Sequence, residues 1–548
     1  MRIMLHSLAL LALVTGGAAQ AESAPRAKPK LIVAIAVDQL SSDIFNEYRP
    51  TYKGGLKRLI SGVVFPAGYQ GHAATETCPG HSTILTGSRP SRTGIIANDW
   101  QDPNLERKDK NGKPTFEIYC AEAPGPAGSN ASEQVISSAF LKVPTLGDRL
   151  KAIDPRTRVV AVSGKDRAAI MMGGHKADLT LWWNGKNFGS YAGRDVVIPQ
   201  ALGVINARAA AAIAKPITIP LPPICQSHSR SFAISEKTNV GTLKLRKAGD
   251  AAPWRATPQF DAMTLDVALA ANKLLKLGSD ETTDVLAISF SGPDYVGHAF
   301  GTNGAEQCAQ IAALDATLAR LFAALDATKV PYAVVLTADH GGHDTPERNA
   351  AQGLPAAERV DAALSAAAMG KVVAKQIGME GSALIGRATF GDMYLSATVQ
   401  ADKRKAALDA AVTTYRNHPQ VEVVFTKDQL AATPLPSGPP EDWSLIARAR
   451  ASFDIERSGD FLVLLKRYVT PIPDPNMGFV ATHGSPWGYD RRVPILFWWK
   501  GVAGFEQPNG VESADILPTL SSLIGLTIPP GEIDGRCLDV VAGKATNC

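Results

Sequence analysis

The 548-residue sequence lacks a charge excess of either sign, and this excludes several classes of partner. Its 56 basic and 52 acidic residues leave a formal net charge of only +4. Without a local basic cluster, such a balance argues against nucleic-acid binding and against binding to a membrane surface. With 45% hydrophobic and 20% charged residues, the composition is that of a globular chain and not of a disordered or fibrous one.

Long apolar runs are also absent, apart from a short one at the N-terminus. Arg2 precedes apolar residues 8–14, and small residues end in Ala19-Gln20-Ala21. This pattern predicts a signal peptide over 1–21, cut after Ala21. Nothing later reaches about 18 uncharged apolar residues, so we expect an exported, soluble mature chain, periplasmic or secreted, with no membrane contact after cleavage.

The six cysteines include no Cys-x-x-Cys pair, which argues against a thiolate metal site. In an oxidising compartment an even number of cysteines favours disulfides. Proximity in the sequence favours Cys78 with Cys120, Cys225 with Cys308, and Cys537 with Cys548, although other pairings remain open.

Short apolar runs flanked by helical patterns recur along the chain, which is typical of a parallel sheet with helices on both faces. The clearest runs are 31–37, 158–162, 285–290 and 332–337. Each ends in polar residues. The sequence therefore predicts an α/β fold with a mainly parallel central sheet flanked by helices.

Two regions interrupt this rhythm. Residues 179–258 are rich in Pro, Gly and aromatic residues and are expected to decorate the core. The segment 345–477, with an Ala-rich helix near 356–376, is interpreted as an inserted cap region. The core is then expected in two parts, 22–344 and 478–548.

Residues that follow the predicted strands are of the kinds that bind metals. Ligands of open α/β sheets bind beyond the carboxyl ends of the strands. Asp38, Asp294, Asp339 and His340 occupy such positions and offer oxygen and imidazole donors that zinc accepts. One helical turn would aim Asp294 and His298 at a common point. Each residue alone is more often a strand-end cap, a turn former or a solvated histidine.

Thr77 lies beside Pro79, which favours the first turn of a helix. The free amides at such an N-terminus attract anions, and a hydroxyl there could attack phosphorus if a base or a metal activated it. Considered alone, Thr77 is better explained as a helix cap. Lys165 and Arg167 follow the second strand, and alone they would be interpreted as a solvated charged loop.

Six ordered fragments resemble the alkaline phosphatase superfamily: VDQ, TETCPGHSTILTG, GIIANDW, SGPDYVGH, TADHGG and ATHGSP. The match is to the type I phosphodiesterase/nucleotide pyrophosphatase branch, and most closely to the monomeric PafA-like bacterial alkaline phosphatases. The resemblance implies a three-layer core, two zinc ions and Thr77 as nucleophile. One zinc would be held by Asp38, Asp339, His340 and Thr77, and the other by Asp294, His298 and His483.

The resemblance also assigns the phosphate contacts. Asn98 matches an asparagine that hydrogen-bonds a nonbridging oxygen, and Lys165 with Arg167 resembles the pair that marks the PafA-like monoesterases. Two such cations favour a dianionic monoester over a monoanionic diester. We therefore expect an exported, monomeric, zinc-dependent phosphatase that hydrolyses small-molecule phosphate monoesters through a phosphothreonine and releases inorganic phosphate.

Two alternatives remain open: a phosphodiesterase or nucleotide pyrophosphatase with the same metals, and a noncatalytic protein that binds zinc and anions. Residue types alone do not separate zinc from manganese. Cys78-Pro79-Gly80-His81 departs from the Cys-x-Pro-Ser-Arg motif of sulfatases, which argues against conversion of Cys78 to formylglycine. His343 is expected to support the site indirectly, and His72, His81 and His175 are expected to pack or hydrogen-bond.

Overall fold

The computed structural model describes residues 28–105, 107–109, 111–124, 135–191, 197–386, 388–542 and 546–548. The predicted signal peptide, 1–21, lies outside the described residues. The six cysteines form Cys78–Cys120, Cys225–Cys308 and Cys537–Cys548, so the pairing favoured by sequence proximity is confirmed.

A ten-stranded sheet forms the middle of the molecule. Its five central strands are parallel, and strands on both sides of them are antiparallel, so the prediction of a mainly parallel sheet is confirmed. From one edge to the other the strands are Phe505–Glu506, Val63–Tyr69, Arg492–Trp499, Tyr332–Thr337, Leu31–Val37, Asp284–Phe290, Val159–Ser163, Leu179–Trp183 and Phe188–Gly189, with Val511–Glu512 also paired to Val63–Tyr69.

Helices cover both faces of this sheet. Successive side chains of a strand point to opposite faces, and Leu31, Val33 and Ile35 accordingly join one apolar cluster while Ile32 and Ala34 join another. Helices of the first cluster are Ser42–Tyr48, Gly55–Leu59, Ala201–Ile213, Pro258–Leu275 and Ala305–Thr328; helices of the second are Thr77–Ile84, Leu146–Ile153, Asp166–Gly173 and Ile516–Ile524. The three-layer α/β core is confirmed.

The helix Ala305–Thr328 is long and apolar enough to cross a membrane by length and composition. Its most apolar window is, however, 61% buried inside the molecule. That burial is typical of a core helix in a globular protein, and it agrees with the position of this helix against the central sheet.

A second sheet lies within the segment 345–477. Its antiparallel strands are, in spatial order, Leu384–Ile385, Gly391–Leu395, Phe461–Leu465 and Val421–Thr426. The helices Ala366–Gln376 and Arg404–Arg416 share an apolar cluster with it. The predicted helix over 356–376 starts only at Ala366, because the Ser365 side chain caps the helix by accepting from the Ala368 amide. The boundaries 345 and 477 stay a prediction.

The remaining elements are short. The other helices are Pro90–Thr93, Ala251–Arg255, Gly292–Phe300, Pro346–Ala351, Lys427–Ala432, Leu445–Ser452 and Gly488–Arg491, with 3-10 turns at Arg49–Thr51, Pro223–His228, Ala362–Leu364, Ala401–Lys403, Pro475–Met477 and Ser513–Asp515. The other strands are Asp99–Gln101, Arg107–Lys108, Pro114–Thr115, Glu117–Tyr119, Phe232–Ala233, Asn239–Val240, Glu358–Arg359 and Val469–Thr470.

Candidate functional site

The metal-type side chains predicted from the sequence follow the carboxyl ends of the central parallel strands. The register pairs Val37 with Phe290 and Ala36 with Thr337, so the residues that follow these strands emerge at one edge of the sheet. Asp38 comes after the first of them, and Asp339 with His340 after the last. The helix Gly292–Phe300, which carries Asp294, starts at the same edge.

Thr77 is the first residue of the helix Thr77–Ile84, as the Pro79 pattern predicts. This helix packs directly on the end of the strand Tyr332–Thr337. A Cβ added at Gly80 would lie only 2.0 Å from the Asp339 carbonyl oxygen, so glycine is needed for the close approach. Thr77 is buried, and its Oγ1 lies 3.3 Å from the Lys165 ammonium.

One group of metal-type donors is Asp294, His298 and His483. Nε2 of His298 lies 3.2 Å and Nε2 of His483 lies 3.3 Å from Asp294 Oδ1. Asp294 and His298 are one helical turn apart, as the sequence spacing indicates. His483 arrives from a distant loop whose position the sequence does not reveal.

A second group contains Asp38, His81 and Asp339. Nε2 of His81 lies 3.4 Å from Asp38 Oδ1, and its Nδ1 lies 3.3 Å from Asp339 Oδ2. His340 adjoins this group: its Nε2 lies 3.1 Å from Asp339 Oδ2, and its ring stacks on that of His483 with centroids 3.5 Å apart. The structure therefore brings Asp38 and Asp339 together, places His340 beside Asp339, and adds His81.

These donors fit divalent metal ions. Asp339 Oδ2, Asp294 Oδ1 and His340 Nε2 are buried and make no hydrogen bond within the part of the chain that the structure describes. Buried polar atoms are normally satisfied, so these three require partners of another kind. Carboxylate and imidazole donors suit zinc.

The Lys165 ammonium occupies the space between the two groups and marks it as a site for positive charge. Its Nζ lies 2.5 Å from Asp294 Oδ2 and 2.8 Å from Asp38 Oδ2. Burial lowers the pKa of Lys165, but Asp294 and Asp38 outweigh burial and raise it. Burial likewise raises the pKa of Asp294, while His298 and Lys165 bring it well below its usual range.

In the second group, burial and neighbouring charges also shift the pKa values in opposite directions. Burial would raise the pKa of Asp339, but His340 and His81 hold it well below its usual range. Burial lowers the pKa of His81, whereas Asp339 and Asp38 raise it to about 9. Burial, together with the charge of His340, lowers the pKa of His483 to about 4. The carboxylates are therefore ionised at neutral pH.

Asn98 lies next to the start of the Thr77 helix, and Arg167 lies close enough to Lys165 and Glu76 to affect their pKa values. The Cys78 amide donates to Asn98 Oδ1 at 2.9 Å, and the Asn98 backbone amide donates to Glu76 Oε2 at 2.7 Å, so Asn98 is held through both its side chain and its backbone. The Nε of Arg167 is buried and has no hydrogen-bond partner among the described residues, and Tyr119 and Asp166 outweigh burial to raise the pKa of Arg167.

Two contributors were not singled out from the sequence. Ser289 donates to Asp38 Oδ1 at 2.7 Å, and Glu76 accepts from the Asn98 amide. His81 was expected only to pack or hydrogen-bond. The signal that could have found it is its spacing of four residues from Thr77 on one helix, the same argument that pairs Asp294 with His298. His343 hydrogen-bonds Thr470 Oγ1 at 3.0 Å.

Comparison with known proteins agrees with this geometry. A family model described as type I phosphodiesterase / nucleotide pyrophosphatase matches residues 32–486. The alkaline phosphatase PhoK of a Sphingomonas species is 52% identical over 533 residues, covering 96% of this chain and 94% of that protein. The alkaline phosphatase PhoD of Zymomonas mobilis is 45% identical over 536 residues, covering 97% and 92%.

Among solved structures, the crystal structure of the alkaline phosphatase PafA matches with a TM-score of 0.79 and 27% identity. The match covers 94% of this chain and 99% of that one. Together these findings confirm the resemblance and the alkaline-phosphatase-like fold that the ordered fragments imply.

Proposed function

The chain belongs to the type I phosphodiesterase / nucleotide pyrophosphatase family, and from this premise we propose that it is an exported, zinc-dependent enzyme that acts through Thr77. It is a phosphoric monoester hydrolase of the alkaline phosphatase class, like its relatives of that name. One observation carries the proposal: a buried threonine hydroxyl at a helix N-terminus lies beside Lys165, which bridges two carboxylate–imidazole groups.

The two groups would each hold a zinc ion. Asp38, Asp339 and His340 with Thr77 would hold one, and Asp294, His298 and His483 the other. Zinc in such sites lowers the pKa of a coordinated hydroxyl and offsets negative charge on the attacking and leaving oxygens. Manganese remains the main alternative, because the same donor types accept both metals.

Thr77 supplies the nucleophile. Its Oγ1 forms a bond to phosphorus and loses its proton to solvent, while the ester bond breaks and the leaving oxygen departs with the bonding electrons and takes up a proton from solvent to become the alcohol. The product is a phosphothreonine. Water then forms a new bond to phosphorus, the Thr77 oxygen departs and regains a proton, and inorganic phosphate is released.

The residues around Thr77 favour a monoester. Asn98 uses its Oδ1 to accept from the Cys78 amide, which leaves its amide hydrogens for a phosphate oxygen. Lys165 offers a point charge, and Arg167 carries a buried Nε without a partner that can donate to another oxygen. Two cations match the two charges of a monoester, whereas a diester carries one.

Three further features belong to this proposal. Export is supported by the three disulfides, which persist in oxidising compartments. The segment 345–477, with its own sheet and apolar cluster, is assigned as a cap on a core formed by 22–344 and 478–548. The active form is proposed to be a monomer.

The decisive experiment traps the covalent intermediate. We expect wild-type protein, loaded with two zinc ions and quenched in acid during turnover of a 32P-labelled monoester, to carry label on the peptide that contains Thr77. Thr77→Ala should carry none and should lose turnover, while Thr77→Ser, which keeps a hydroxyl, should retain label.

Other results would favour the alternatives. Full activity in Thr77→Ala would remove the proposed nucleophile. Faster turnover of a diester than of its matched monoester would support the phosphodiesterase alternative. Tight binding of zinc and phosphate without any turnover would support the noncatalytic binding protein.

A further inference from the structure

Four histidines meet in the site, and their hydrogen bonds divide them into two kinds. Nδ1 of His298, His340 and His483 each bonds a backbone carbonyl, at 3.0, 2.9 and 2.7 Å respectively. Nε2 of each then faces an aspartate oxygen of its group. This is the arrangement of metal-ligating histidines, in which the outer nitrogen is held by a hydrogen bond and the inner one is left for the metal.

His81 differs because both of its ring nitrogens are engaged. Nδ1 lies 2.8 Å from the Thr77 carbonyl oxygen, which can only accept, so Nδ1 donates. Nε2 lies 3.0 Å from the Ser289 hydroxyl. Because the Ser289 hydroxyl donates its only hydrogen to Asp38 Oδ1, Nε2 donates to Ser289, and no nitrogen of His81 is left for a metal.

The same ring contacts residues that supply three of the four donors proposed for one zinc ion. It bonds the backbone of Thr77 and lies within 3.4 Å of an oxygen of Asp38 and of Asp339. Ser289 connects it again to Asp38 Oδ1. The ring is fully buried, so it cannot turn toward solvent.

As a result, the two oxygens of each carboxylate have different partners. Asp38 Oδ1 is held by Ser289 and faces His81, while its Oδ2 lies 2.8 Å from the Lys165 ammonium. Asp339 Oδ1 accepts from the Gln39 and His340 amides, while its Oδ2, which faces His81, makes no hydrogen bond to any described residue. Each carboxylate thus has one oxygen held by the surrounding backbone or hydroxyl groups and presents the other to the site.

Resting on the proposed function, we propose that His81 is a positioning residue: it aligns Asp38, Asp339 and Thr77 around one of the two metal ions without binding that ion. Loss of an outer hydrogen-bonding partner of a metal site typically costs about 10–100-fold in metal affinity. The effect should fall on the ion held by Asp38 and Asp339 and should spare the ion held by Asp294.

The test measures zinc directly. We expect wild type to retain two zinc ions per chain after dialysis, and His81→Ala to retain one tightly while losing the other to a chelator about 10–100-fold faster. His81→Asn places an amide nitrogen near the position of Nδ1, and His81→Gln places one near Nε2. Each should restore part of the lost affinity, which separates the Thr77 contact from the Ser289 contact.

Ser82→Ala is the matched control, because Ser82 is buried on the same helix and hydrogen-bonds Pro79 and Thr93 instead of the site. If His81 merely supported the helix, both substitutions would lower the unfolding midpoint and neither would change zinc release. Equal zinc release from wild type, His81→Ala and His81→Gln would overturn the proposal.

The two hypotheses can fail separately. Wild type that binds two zinc ions without hydrolysing a monoester would refute the proposed function, while selective loss of one ion in the His81 variants would still support the positioning role. Conversely, wild-type turnover with identical zinc release in every His81 variant would refute the positioning role alone.

Discussion

Replacing Lys165 by Ala tests how the site selects its substrate. The ammonium is buried, bridges Asp38 and Asp294, and lies 3.3 Å from the Oγ1 of Thr77, the proposed nucleophile. A hydrogen bond to a charged group contributes about 1.5–3 kcal/mol. At about 1.4 kcal/mol per tenfold change in rate, its loss should lower kcat/KM for a monoester by about 10–150-fold.

The matched diester provides the control within the same assay. A diester presents one negative charge where a monoester presents two, so it should lose less, and the ratio of monoester to diester kcat/KM should fall in Lys165→Ala. Arg156→Ala is a control for a change of surface charge, because Arg156 is exposed and pairs with Asp154. An equal fall for both esters in Lys165→Ala would refute the selectivity argument.

Three other predictions follow from packing, covalent links and buried charge. Gly80→Ala should weaken zinc binding and activity together, measured by zinc content and kcat, because its Cβ would lie 2.0 Å from the Asp339 carbonyl oxygen. Replacing Cys78 and Cys120 by Ser should lower the free energy of unfolding by about 3–4 kcal/mol in urea titration, as expected for a loop closed over 42 residues. Burial raises the pKa of Asp261 to about 7, whereas the pKa of an Asp in the unfolded chain is about 4. The free energy of unfolding should therefore fall as the pH rises from about 4 to about 7. Asp261→Asn should flatten that part of the curve of unfolding free energy against pH.

The sequence was most informative where local pattern and topology agree. Buried parallel strands read as continuous apolar runs, so Leu31–Val37 and Tyr332–Thr337 could be located to the residue. Because parallel strands end at one edge, Asp38 and Asp339 could be expected to meet. The helical spacing of Asp294 and His298 needed no tertiary information.

The features of the site and the fold that the sequence did not reveal depend mainly on contacts between distant segments. His483 is oriented by the Thr75 carbonyl, 408 residues earlier in the chain, and nothing in its own neighbourhood indicates that partner. His81 looked like a packing residue because its role lies in what it touches across the sheet edge. The start of the helix Ala366–Gln376 was missed because Ser365 caps it inside a continuous Ala-rich pattern.

The charges of the site also constrain the order in which its ligands bind. Asp38 and Asp294 flank the Lys165 ammonium beside Thr77, and Asp339 lies close to Asp38 in the second group. A phosphate dianion would be repelled by these carboxylates. We therefore expect cations at these carboxylates to bind first, which would release the Lys165 ammonium from Asp38 and Asp294 for a phosphate oxygen, so that affinity for phosphate should rise with metal occupancy.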